Sequence, residues 1–166
     1  MSFTRDQFIK NKVKKSIVIT GTARSGTTIL GKLLHSFENV EYFFEPPTLI
    51  SLLNSIYEIK EDTWKFLYES YIYEDLLINA IAGRGINCNR VDDSSIYKVK
   101  SNNIINKRLN NTFRKHKQLD EISESKIIYK IPSVSVYVEK LILYCPEQTI
   151  INIKRNAVEV IYSLVR

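Results

Sequence analysis

The residues best suited to chemistry lie in the run IVITGTARSGTTILGKLLH, from Ile17 to His35. Gly21 and Gly26 bracket Thr22, Ala23, Arg24 and Ser25, and Thr27 and Thr28 follow at once. Glycines at that spacing let the backbone curl with its N–H groups turned inward, and a helix opening at Gly26 adds roughly half a positive charge at its N-terminus. The loop is therefore predicted to cradle an anion such as a phosphate. A Walker A loop, GxxxxGK[ST], would carry a lysine after its second glycine. Here Thr27 stands in that position, and the cation is Arg24 inside the loop. The departure argues against ordinary ATP or GTP hydrolysis and for a phosphate-bearing donor held without the usual lysine and magnesium.

A second candidate phosphate grip lies in IINIKRNAVEVIYSLVR. Arg155 follows an apolar run that reads as a strand, and Asn156 and Glu159 have the types and spacing of a helix cap with an acid at its third helical position, which is a structural role. Ser163 comes eight residues after Arg155, about two helical turns on from the cap, where an extended arginine can share one phosphate with it. An arginine ending a strand is also commonly just a surface charge, so this pair alone decides little. Two further residues, Glu45 before Pro46–Pro47 and Lys130 after an apolar run, stand at predicted strand ends. A carboxylate there is placed to take a hydroxyl proton; it is equally what an exposed turn would carry.

These residues need a frame that brings strand ends together. Ser16 to Thr20 reads as a buried parallel strand, followed by a helix from Gly26 to about Phe37 with Ile29, Leu30, Leu33 and Leu34 on one face. Val40 to Phe44 reads as a second strand, stopped by the prolines. Two helical stretches follow to Ala82, one through Leu49, Leu52, Leu53 and Ile56, the next after a Thr63 cap. Gly83 and Gly85 close that pair. Ile96 to Lys100 reads as a short strand, Asn102 to Gln118 as a helix, and Leu119 to Ser125 as a polar loop. Ile127 to Ile131 is a third strand, Val134 to Cys145 a helix, Thr149 to Ile153 a fourth strand, and a last helix starts at Ala157. Alternation of this kind predicts a three-layer α/β/α domain on a mainly parallel sheet, with a helical insertion after strand 2 and ligands beyond the carboxyl ends of the strands. Residues 1–15 read as a basic lead-in.

The bulk numbers exclude several classes. A chain of 166 residues, 44% hydrophobic and 25% charged, has globular composition. No run of about 18 apolar residues and no secretory-type leader is present, so the expected location is cytoplasmic. Cys88 and Cys145 lack CxxC spacing, which points to packing and to neither metal nor disulfide. A net charge of +6 suits anionic partners, and the densest basic patch is Lys107, Arg108, Arg114, Lys115, His116 and Lys117. On a helix with Ile105, Leu109 and Phe113 as its apolar stripe, those basic residues form a solvated face, so nucleic acid is not the expected partner. The aromatics Tyr57, Trp64, Phe66, Tyr68, Tyr71 and Tyr73 are assigned by helical spacing to the core.

Taken together, GTARSGTT, RNAVEVIYS and the YKIPS and YCPEQTIINIK segments that lead to it resemble the sulfotransferases that use 3′-phosphoadenosine 5′-phosphosulfate. FFEPP, Phe43 to Pro47, resembles the Glu-Pro segment of the bacterial, carbohydrate and tyrosylprotein branches. The similarity is confined to residues 16–47 and 127–166. It implies transfer of a sulfuryl group to a hydroxyl or amine acceptor, such as a carbohydrate, a lipid or another small molecule, without a metal. It also implies roles at matching positions. Arg24 would meet the bridging oxygen and the sulfuryl group, with Thr22, Ala23, Ser25, Gly26, Thr27 and Thr28 around the 5′-phosphate. Arg155 and Ser163 would hold the 3′-phosphate, Glu45 would be the general base, and Lys130 would face the transferring group. In that family the domain continues, so a chain ending at Arg166 inside a predicted helix is expected to be an N-terminal portion. Two alternatives remain at this point: a P-loop kinase or related nucleotide enzyme, favoured by the cradle alone, and a non-catalytic module binding anions or nucleic acid through its basic surface.

Overall fold

The computed structural model describes residues 6–92, 95–110, 119–132 and 134–165. Among the described residues four parallel strands make one sheet: β1 (Ile17–Gly21), β2 (Val40–Phe44), β3 (Lys126–Lys130) and β4 (Thr149–Ile153), in the spatial order β2-β3-β1-β4. The helices are α1 (Gln7–Lys14), α2 (Thr27–His35), α3 (Pro47–Asn54), α4 (Glu61–Ser70), α5 (Asn79–Ile81), α6 (Asn102–Leu109), α7 (Leu119–Glu124), α8 (Val138–Tyr144) and α9 (Ala157–Val165). The expected α/β class and parallel sheet are observed.

Register explains how the strands sort their side chains. Phe43, Tyr129, Val18 and Ile150 lie in one row across the sheet and face the main core, where they meet Leu53, Trp64, Tyr68 and Leu77. The next row, Phe44, Lys130, Ile19 and Ile151, points to the opposite face. Lys130 therefore emerges on the side where α2 packs. On that side the expectation for α2 fails in an instructive way. The helix buries Thr27 and Gly31, while Ile29 and Leu33 remain 74% and 62% exposed. A Cβ on Gly31 would stand 2.2 Å from the Tyr42 ring, so close approach to β2 uses the residue without a side chain and turns the large apolar ones outward.

Other boundaries also shift. Residues 7–14, read as part of a lead-in, form α1, capped by Asp6 Oδ1 accepting from the Phe8 N–H at 2.7 Å and burying Ile9 and Val13 in the core. Helix α4 starts at Glu61 without a Thr63 cap, since Glu61 and Asp62 already place negative charge in its first turn. It runs on into a π-helix, Tyr71–Ile78, before α5. Of the aromatics assigned to the core, Trp64, Tyr68 and Tyr73 are buried, but Tyr57 is exposed. The expected strand at Ile96 to Lys100 is a single 3-10 turn, Ile96–Lys98, because Lys100 turns its ammonium to the carbonyls of Phe37, Glu38 and Val40. The expected polar loop from Leu119 holds helix α7, fixed by the fully buried Ile122 and by Asp120 and Glu121 in its first turn. Val134 to Cys145 divides into a 3-10 turn and α8. Of the two cysteines assigned to packing, Cys145 is half-buried, its thiol pushed up to about 12 by burial, whereas Cys88 is exposed.

The largest correction concerns α6. Leu109, expected in an apolar stripe, is 49% exposed, whereas Arg108, expected on a solvated face, is buried. Pairing overrides periodicity there: Arg108 Nη2 and Nη1 donate to Glu41 Oε1 and Oε2 at 2.6 and 3.1 Å. The rest of the predicted helix and the basic residues Arg114, Lys115, His116 and Lys117 lie outside the described residues.

Candidate functional site

The cradle begins where β1 ends. At Gly21 a Cβ would stand 2.5 Å from the Ile153 carbonyl oxygen and 2.8 Å from Ser25 Oγ, so only glycine lets the loop turn this tightly against β4. Ser25 N–H donates to the Thr22 carbonyl at 3.2 Å, and Gly26, at φ 100°, becomes the N-cap of α2. Ser25 Oγ is buried and has no hydrogen-bond partner among the described residues. An orphan hydroxyl inside a loop at a helix N-terminus is the arrangement that a bound anion would satisfy.

Among the described residues, the non-glycine residues with left-handed backbone are Arg24, at φ 64°, and Glu45, at φ 43°. Such conformations are uncommon outside glycine and cost of order 1–3 kcal/mol when held in place, and they concentrate at working sites. Both residues were singled out in the sequence for their chemistry.

Two clusters grow from them. In the first, Arg24 Nε donates to Ser163 Oγ on α9 at 2.9 Å, and Arg155 Nη1 donates to the Arg24 carbonyl at 3.1 Å. Arg24 thus joins the residues of the second candidate grip, from which it is 131 residues distant in sequence. Asn156 Oδ1 accepts from the Val158 N–H at 2.9 Å, as a cap should. Glu159 does not complete a capping box; it takes Arg155 Nε at 2.9 Å. In the second cluster, Lys130 Nζ donates to Glu45 Oε1 at 2.5 Å and reaches Thr28 Oγ1 at 3.4 Å. Lys130 is nearly buried, and Phe44 covers it with its ring centroid 4.6 Å from the ammonium. Thr28 at the head of α2 therefore links the loop to the carboxylate.

A cleft of about 710 Å³ adjoins the second cluster. Its lining includes Thr28, Lys32 and His35 of α2, the run Glu41 to Phe44 of β2, Pro46, and Asp75 and Leu76 of the π-helix. That volume falls in the range of about 300–1,000 Å³ common for small-molecule sites.

A comparison of the sequence with models of known families matches the Sulfotransferase family over residues 16–166. The chain belongs to the sulfotransferase family. No curated protein matches it in a sequence comparison. Within this sulfotransferase, sequence reasoning missed the cleft and its floor. Glu41 is 2% exposed, held by Arg108, with Lys100 Nζ and His35 Nε2 each at 3.8 Å. Burial would raise its pKa, but His35, Arg108 and Lys100 override that and hold it at about 2. The available signal was a carboxylate inside the otherwise apolar strand VEYFF, which demands a buried cation. Among the described residues no cluster of His, Cys, Asp and Glu is arranged to hold a metal ion, and no helix is long and apolar enough to cross a membrane.

Proposed function

We propose that this sulfotransferase uses 3′-phosphoadenosine 5′-phosphosulfate as its donor and passes the sulfuryl group to a hydroxyl or amine acceptor. The observation that carries this reading is the hydrogen-bonded set Arg24, Ser163 and Arg155 meeting the Gly21 to Thr28 loop. A phosphate cradle and a second cationic grip side by side suit a nucleoside with phosphates on two carbons of one ribose. In this reading, the Ser25 to Thr28 backbone and hydroxyls bind the 5′-phosphate, and Arg155 and Ser163 bind the 3′-phosphate. Arg24 lies between them and stabilises charge on the leaving oxygen.

Chemically, the acceptor oxygen or nitrogen attacks sulfur in line, the bond from sulfur to the bridging oxygen breaks, and the bisphosphate departs with that oxygen's electrons. Like phosphoryl transfer, such a step needs placement and charge stabilisation more than covalent work by the protein. Glu45 takes the acceptor proton. Lys130, between Glu45 and Thr28, orients that carboxylate and offsets negative charge on the transferring group.

Calorimetric titration separates this reading from a kinase-like one. Adenosine 3′,5′-bisphosphate is expected to bind at least about tenfold more tightly than adenosine 5′-monophosphate, since its extra phosphate gains charge-assisted hydrogen bonds. Equal affinities would contradict the second grip. Magnesium-dependent ATP binding in place of any 3′-phosphate preference would favour a nucleotide kinase.

A further inference from the structure

The cleft beside Glu45 has an unusual relation to the sheet. It is lined by four consecutive residues of β2, Glu41, Tyr42, Phe43 and Phe44. Successive side chains of a strand point to opposite faces, so a cavity that touches a continuous run must meet the strand along its edge. Among the described residues β2 is an edge strand, paired only with β3.

The pairing fixes which main-chain groups look into that edge. Lys126 N–H donates to the Asn39 carbonyl, and Glu45 N–H donates to the Lys130 carbonyl, at 2.7 and 3.1 Å. In a parallel ladder alternate residues serve one neighbour, so 39, 41, 43 and 45 face β3, and 40, 42 and 44 face outward. Val40 confirms the phase: its carbonyl accepts from Lys100 Nζ at 2.6 Å on the outer side. A lysine used this way blunts an edge against further pairing. That closure stops at Val40. The N–H and C=O groups of Tyr42 and Phe44 have no partner among the described residues, and they lie along the cleft, whose lining includes Phe44 and Pro46, the two residues that flank Glu45.

We propose that the acceptor of this sulfotransferase is an extended peptide segment that adds as a strand along β2, bonded to the main chain of Tyr42 and Phe44, and so delivers a hydroxyl side chain to Glu45. The proposal rests on the donor and base assignments given under Proposed function. Alternate open donor and acceptor groups, spaced about 6.6 Å apart along a strand, match the repeat of another strand and give affinity through the main chain, with side-chain pockets setting preference. Phe44, 51% exposed and beside Pro46, forms the wall at the reacting end.

The test is affinity selection of a randomised library of short capped peptides, each with a central tyrosine, serine or threonine, on the full chain loaded with adenosine 3′,5′-bisphosphate. Maltotriose serves as the carbohydrate probe. Peptides are expected to be retained and maltotriose not. For the best peptide, N-methylation of alternate amides in one register should lower retention about tenfold or more, and methylation in the other register should leave it. Phe44→Pro, which removes an outward N–H that an edge strand does not need for folding, should lower retention similarly, whereas Phe44→Leu should keep most of it. Bisphosphate affinity, measured separately, should be the same in both variants. Failure of the bisphosphate to bind would overturn the donor reading itself. Bisphosphate binding with no retained peptide, with retention of maltotriose in its place, or with peptide retention indifferent to methylation register, would overturn the strand-addition proposal alone.

Discussion

Glu41 and Glu45 lie four residues apart at one edge of the sheet, and their surroundings differ in every respect that matters. Glu41 is buried, accepts both terminal nitrogens of Arg108, and has Lys100 and His35 close by. It ties α6 and the 95–100 segment to β2. Glu45 stands just past the strand in a left-handed conformation, its side chain 30% exposed, and its ion-pair partner is Lys130, which also reaches the loop at Thr28. A carboxylate enclosed by cations holds architecture in place. A partly exposed one, next to a cleft and a phosphate-type loop, is free to exchange its partner for a substrate proton.

The comparison breaks most visibly on the buried side. Glu41→Gln removes the bidentate partner of the buried Arg108 and leaves it only the longer pairing to Glu121 Oε1 at 3.9 Å among the described residues, so it is expected to cost about 3–5 kcal/mol in urea denaturation, and pairing it with Arg108→Met should recover much of that loss. The same pair sets a pH response. Because the folded-state pKa of Glu41 lies at about 2, below its ordinary 4.5, its contribution to stability is fully present above pH 4.5 and is lost as pH falls toward 2. Glu41→Gln should flatten that part of the acid-unfolding curve; an unchanged curve would remove Glu41 as its cause.

Glu45→Gln should do the reverse. Turnover, followed as release of adenosine 3′,5′-bisphosphate, is expected to fall by about 10²–10⁴-fold, as for loss of a general base, with a smaller loss of unfolding free energy than Glu41→Gln gives, since the Glu45 side chain is partly exposed. A large stability loss with normal turnover would erase the distinction between the two carboxylates. Arg24→Ala is expected to lower turnover by about 10²–10³-fold without weakening the fold, and unchanged turnover would remove it from the charge-stabilising role. The smallest effect is at Arg155. Its exposed pairing with Glu159 competes with a bound phosphate, so Glu159→Gln should tighten adenosine 3′,5′-bisphosphate by no more than about fivefold in calorimetry, and a weakened affinity would argue that Glu159 positions Arg155.

The sequence disclosed those parts of the molecule whose signals are local. β2 and β4 were legible to the residue because Pro46 and Pro47 end one and three isoleucines within five residues, Ile150, Ile151 and Ile153, mark the other. The cradle was legible because its glycines and following threonines are contiguous. The approach of Arg24 to Ser163 and of Lys130 to Glu45 was not, since each joins segments that only the order β2-β3-β1-β4 brings together. Periodicity misled wherever a specific contact outweighed it, as with Gly31 against Tyr42 and Arg108 against Glu41. The cleft edge left no pattern to read, because backbone groups of Tyr42 and Phe44, and no particular side chains, define it.

The most direct measurement is a crystal structure of the full chain grown with adenosine 3′,5′-bisphosphate. The account predicts the 5′-phosphate on the Ser25 to Thr28 backbone and the ribose 3′-phosphate against Arg155 and Ser163, with the Arg24 guanidinium between them. A nucleotide bound with its 3′-phosphate in solvent, or seated away from the loop after β1, would contradict it.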